Sequence, residues 1–166
     1  MPKHYIRIAG LKEGEHYEEF EIKEQFFEAY EQSEVTAGYF IVNTLLVLRG
    51  LDRKLTINIE GNITNLLCDY CVQKLEWPIS IASTFVIKES EKEIESIDEV
   101  IYVLPNQYKL NIDQLLFEMI NLSIPSKRKH GINEKCDKEM LKLMDKYATK
   151  KKQEVAPIWE VLNKLK

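Results

Sequence analysis

The chain is poor in cysteine, with Cys68, Cys71 and Cys136 its only three. So few, and an odd number, exclude a disulfide scaffold; at 166 residues one domain can bury a core without covalent staples. No apolar run reaches the roughly 20 residues that a bilayer span needs, so no membrane partner is expected. The start, Met1-Pro2-Lys3-His4-Tyr5-Ile6-Arg7, lacks the apolar centre of a secretory signal, and the expected location is the cytoplasm. Also missing are a glycine-rich phosphate loop, a nucleophile elbow and a metalloprotease helix motif. His4 and His16 have no serine or cysteine motif beside them and read as surface residues. The expectation is a protein that is not an enzyme and takes no small-molecule substrate.

What is present is unevenly charged. The formal net charge is −4, but between residues 11 and 34 nine glutamates stand against Lys12 and Lys23. Between residues 123 and 152 ten lysines and arginines stand against four carboxylates. Two runs dominate that second stretch: Lys127-Arg128-Lys129 and Lys150-Lys151-Lys152. A basic end on an acidic protein suggests a surface for nucleic acid, although lysine-rich helices are also simply well solvated.

Apolar periodicity predicts strands first and helices last. Residues 5–8, 17–22, 35–49, 55–59, 63–67, 79–87 and 100–104 carry strand patterns, and in 35–49 both parities are apolar enough to predict a strand buried on both faces. Gly61 suggests a bulge or a bend where the strand changes direction. Phe26, Phe27 and Tyr30 fall at helical spacing. Asp113 is placed to cap a helix carrying Leu115, Leu116, Met119 and Ile120, which Pro125 stops. Asp137 is placed to cap another, with Met140, Leu141, Met144 and Tyr147 as a core-facing stripe. Pro157 would open a last helix through Trp159, Leu162 and Leu165. The fold class is α+β: an antiparallel sheet or partial barrel, with helices from the C-terminal third packed on it. A single domain spans 1–166, mostly β over 1–110, mostly helical and basic over 111–166.

All three cysteines fit one constellation with His130. A Cys-x-x-Cys turn aims two thiolates at one centre, and Cys136 with a neutral imidazole would complete a closed, four-coordinate zinc site. Such a Zn2+ would tie the middle of the chain to its C-terminal third. The alternative is that the cysteines are small buried hydrophobes, since the gap from Cys71 to His130 far exceeds finger spacing. A redox pair would need a helix opening at Cys68, where a strand reading ends.

In order, Gly61 and Ile63 leading to Cys68-x-x-Cys71, then Ile112-Asp113-x-Leu115-Leu116-x-Glu118-x-Ile120-x-Leu122-Ser123-Ile124-Pro125, Cys136, and Pro157-x-Trp159-x-x-Leu162-x-x-Leu165 form a pattern. It resembles the YceD family, the large ribosomal RNA subunit accumulation proteins, over nearly the whole chain. The opening, Ile8-Ala9-Gly10-Leu11-Lys12-x-Gly14-x-His16, looks like the variant common in Bacteroidetes-type members. The chain departs from the family at Tyr70 and Val72 around the second knuckle cysteine, and at Ala156-Pro157-Ile158-Trp159, where relatives read Asp-Pro-Arg-Trp. Where many relatives carry a second cysteine pair, it offers His130 as partner for Cys136. The resemblance implies a cytosolic, non-enzymatic factor for accumulation of large-subunit ribosomal RNA.

Two readings of its partner follow. In one, Lys127, Arg128, Lys129, Lys150, Lys151 and Lys152 neutralise phosphates of large-subunit ribosomal RNA. In the alternative, the acidic N-terminal surface receives a basic partner such as a ribosomal protein, without RNA contact.

Overall fold

In the computed structural model the described residues are 3–30, 33–92, 94–95, 99–130 and 136–147. Four long or middle-length strands form a meander: β2 (Gly14–Ile22), β3 (Gly38–Arg49), β4 (Asp52–Leu67) and β5 (Lys74–Glu89). They follow β1 (Tyr5–Arg7), and the short helix α1 (Glu24–Phe27) is inserted between β2 and β3. β6 (Val100–Val103) completes an open sheet of order β2-β3-β4-β5-β6, and β7 (Lys109–Asn111) pairs with β1 in a separate antiparallel ribbon. Then come α2 (Asp113–Leu122) and α3 (Lys138–Tyr147). The α+β expectation holds with one departure from antiparallel pairing: β6 runs parallel to β5, Val86 opposite Val100. Val100 lies beside Val86 and the two strands run the same way, a pairing that a hairpin turn does not give.

Strict alternation sets the core. Phe40, Val42, Leu46, Leu55, Ile57 and Ile59 are almost wholly buried on one face, where α1 adds Phe26 and Phe27 and α2 adds Leu116, Met119 and Ile120. The opposite face is open, so β3 is not buried on both sides as its composition predicts: Tyr39 and Ile41 are exposed. Among the described residues helices cover one side of this sheet, and Tyr39 and Ile41 of the other parity are left exposed. Gly61 lies in an unbroken strand rather than a bulge; a side chain there would collide with the Tyr39 carbonyl and the Phe40 backbone. The irregularity comes later, between Ile63 and Leu66.

Long-range polar contacts fix the ends. Asp113 does not cap α2 with its side chain: it is the first helical residue, and its Oδ1 accepts from the His4 amide at 3.0 Å and lies 2.7 Å from His4 Nδ1. His4 is therefore buried, against the surface reading, and packs edge-on against Phe20 and Phe26. Tyr30 stacks on Phe117 with centroids 3.7 Å apart, joining α1 to α2. Asp137 does cap α3, its Oδ1 accepting from the Glu139 amide at 2.7 Å. The stripe of α3 is not core: no α3 residue is buried, and Tyr147 is 73% exposed. The expected linker and the helix through Trp159 lie outside the described residues, as do Lys150, Lys151 and Lys152. No helix among the described residues is long and apolar enough to cross a membrane.

Candidate metal centre

The β4–β5 hairpin carries the first two ligands. Its last ladder pair is Leu67 opposite Lys74, so Cys68 to Gln73 form the loop at its tip. The Cys68 amide donates to the Gln73 carbonyl and the Val72 amide to the Cys68 carbonyl, both at 2.9 Å. Closing this loop puts Val72 at φ 59°, a left-handed conformation that a β-branched side chain resists. Both thiols turn inward, with Cys68 and Cys71 each 1% exposed. A two-thiol loop on the longest hairpin of the sheet is a rigid mount.

The second pair arrives on the chain that leaves α2. Ser123 and Pro125 end the helix, and Arg128 docks on the loop through its backbone: its carbonyl accepts from the Asp69 amide at 2.9 Å, and its amide donates to Asp69 Oδ2 at 2.6 Å. The guanidinium closes the clamp, Nη1 donating to Glu34 Oε2 at 3.0 Å. Its Nε sits 3.4 Å from Asp69 Oδ1, close enough for charge attraction but without hydrogen-bond alignment. Two residues on, His130 Nε2 lies 3.1 Å from the Lys74 carbonyl. A carbonyl only accepts, so Nε2 carries the proton and Nδ1 presents a lone pair to the sulfurs.

The four donor atoms lie within 4.8 Å of one another. Cys68 Sγ and Cys136 Sγ are 3.8 Å apart, and His130 Nδ1 is 3.4 Å from Cys71 Sγ and 3.5 Å from Cys136 Sγ. Tetrahedral zinc, with bonds of about 2.3 Å to sulfur and about 2.0 Å to nitrogen, places its ligands about 3.8 Å apart for two sulfurs and about 3.5 Å for sulfur and nitrogen. The quartet therefore fits the ion in chemistry and spacing. Buried hydrophobic thiols would have no reason to gather from both ends of a 68-residue separation around one imidazole. Electrostatics agrees: burial opposes ionisation of Cys68, yet amides of Tyr70, Cys71 and His130 and the Cys71 thiol bring it down to about 6. Desolvation and the hydrogen bonds and charge of Cys68 and Cys71 push Cys136 up. Without an ion, one thiolate is favoured and a second discouraged, the tension a divalent cation relieves.

The residues predicted to meet nucleic acid divide. Lys127 and Lys129 are exposed, and Lys129 Nζ stands 5.3 Å from the centroid of the Tyr70 ring on the two-cysteine loop. Arg128 is committed to the carboxylates of Asp69 and Glu34. Sequence reasoning missed this clamp and the Lys74 carbonyl. Asp69, an acid inside the Cys-x-x-Cys loop, was the one available signal for the clamp; a backbone acceptor leaves none. His16 meets the Lys12 carbonyl at 2.8 Å, away from the quartet.

Among curated proteins and among solved structures, none matches the chain. A family profile, described as large ribosomal RNA subunit accumulation protein YceD, matches residues 55–166, from the start of the buried part of β4 to the last residue. That span takes in the two-cysteine loop, the α2 segment, His130 and Cys136, and on it the chain belongs to the YceD family.

Proposed function

We propose that the protein is a non-enzymatic cytoplasmic factor that supports accumulation of large-subunit ribosomal RNA by binding that RNA beside a structural zinc centre. Cys68, Cys71, His130 and Cys136 hold the Zn2+, and four protein donors leave no open position for a substrate. A reducing compartment keeps the thiols available as ligands. The observation that carries the reading is the placement of the basic run at the centre: the segment that delivers His130 exposes Lys127 and Lys129, with Tyr70 beside Lys129 on the loop. Exposed cations with an aromatic ring beside one of them are the elements from which proteins contact phosphates and stack a base. Lys150, Lys151 and Lys152 extend the same charge along the chain. The family description supplies the RNA class.

A binding titration with large-subunit ribosomal RNA at two salt concentrations tests this. Lys127→Glu with Lys129→Glu is expected to weaken binding and to flatten the salt dependence, by about 0.7 in log–log slope for each single-strand phosphate left without its cation. Lys12→Glu with Lys23→Glu serves as control. Equal losses in both pairs, or no RNA binding by the natural chain, would overturn the reading.

A further inference from the structure

The open face of the sheet carries a second kind of surface. Along β2, Glu15, Tyr17, Glu19 and Glu21 all point outward, opposite Val47, Leu45, Asn43 and Ile41 of β3. Tyr17 is 69% and Tyr39 44% exposed, and β2 is an edge of the sheet. One end of this row shows how it treats a cation. Lys23 Nζ sits 2.7 Å from Glu21 Oε2 and 5.9 Å from the centroid of the Tyr39 ring, while the Tyr39 hydroxyl donates to Glu21 Oε1 at 3.3 Å. Carboxylate and tyrosine ring together seat an ammonium.

The other end repeats the pair. Tyr17 donates its hydroxyl to Glu15 Oε2 at 2.6 Å, which holds the carboxylate beside an exposed ring. Among the described residues no cation lies over Tyr17, and Glu15 and Glu19 make no ion pair. Outward residues on a strand recur about every 6.8 Å, the same repeat as same-side residues of any extended polypeptide. We infer that this row is a docking surface for an extended protein segment with arginine or lysine at alternate positions, each cation meeting a β2 carboxylate and one lying on Tyr17. Charge selects the partner class: a nucleic acid would be repelled by the same glutamates. The inference is independent of the RNA surface, which lies at the β4–β5 loop.

Glutamates on an edge strand also deter strand-to-strand association, and the test separates the two roles. A twelve-residue peptide of alternating arginine and threonine is titrated against the full chain by calorimetry. Glu15→Gln with Glu19→Gln is expected to weaken it about tenfold and Tyr17→Ala several-fold, consistent with exposed charge and cation–π contacts. Glu89→Gln with Glu91→Gln, which alters charge elsewhere, is expected to leave affinity within about twofold. Equal loss in that control means bulk charge alone and overturns the proposal. An unaffected affinity in the β2 variants, with self-association instead, assigns the glutamates to edge protection and overturns it too. Binding of ribosomal RNA is expected to survive the β2 substitutions, so failure here leaves the RNA reading standing and failure there leaves this one.

Discussion

Ile59 in β4 and Met144 in α3 are both apolar residues repeating at the period of their element, yet Ile59 is fully buried and Met144 is 43% exposed. The first belongs to a body whose sheet, α1 and α2 share one continuous core. The second belongs to an arm that begins after α2 and has no buried residue on its helix. Past Ile124, which packs against that core, what ties the described part of the arm to the body is polar: the Arg128 clamp, His130 on the Lys74 carbonyl, and Cys136 beside Cys68. An isolated ten-residue helix is marginal in water, so the arm depends on that tether in a way the body does not. One molecule thus uses hydrophobic burial for its body and polar contacts around a cysteine–histidine cluster for its arm.

The most forceful way to break this comparison is from the body side. Phe40→Ala removes a fully buried ring and is expected to cost roughly 3 to 5 kcal/mol, read from denaturant unfolding. A loss below about 1 kcal/mol would mean the sheet is not the stabilising unit.

Metal removal strikes the arm instead. With a strong chelator, or with Cys71→Ser, the amides of α3 are expected to lose hydrogen-exchange protection while those of β3 and β4 keep theirs. A simultaneous loss of protection in both would show that the centre supports the whole domain. Elemental analysis of the natural chain is expected to find one zinc per molecule, falling well below that in the variant.

Smaller effects sharpen the boundary. Arg128→Ala leaves Asp69 and Glu34 without their partner and is expected to cost roughly 1 kcal/mol, since both carboxylates are partly solvated. Arg128→Ala is also expected to weaken zinc in a competition assay, because the segment that presents His130 loses its dock. Val72→Gly relieves the left-handed backbone at the loop and is expected to gain about 0.5 kcal/mol, the strain released less the entropy of a freer unfolded chain. Smallest of all, Met144→Ser is expected to change stability of the body by less than about 0.5 kcal/mol, as for an exposed site.

The gathering of Cys68, Cys71, His130 and Cys136 was legible in the sequence because a coordination set needs particular side chains whatever their separation, and these four form such a group among the described residues. The strands of the meander were legible too, since each alternates over enough residues to declare its period. Less so was the direction of β6, which is set by its pairing with β5 and by no residue within the strand. The burial of His4 and the altered role of Asp113 depend on each other across 109 positions, and neither carries a local signal. For α3, amphipathic spacing marks an apolar face but says nothing of what covers it. The same limit applied to β3, where two apolar parities predicted two covered faces and, among the described residues, helices cover one.

The ribbon of β1 and β7 has a consequence for the order in which the protein can be completed. Tyr5 pairs with Asn111, and the His4 carbonyl accepts from the Ile112 amide, so β1 has no strand partner until more than a hundred further residues have been made. The meander from β2 to β5 has no such wait, because each strand pairs with its neighbour in sequence. During synthesis Ile6 and Ile8, nearly fully buried in the finished protein, therefore sit at a strand that still lacks its partner while the meander can already pair. A nascent chain halted before Leu110 would hold β1 without the partner that completes its backbone hydrogen bonds, so the first strand made is the last to be paired.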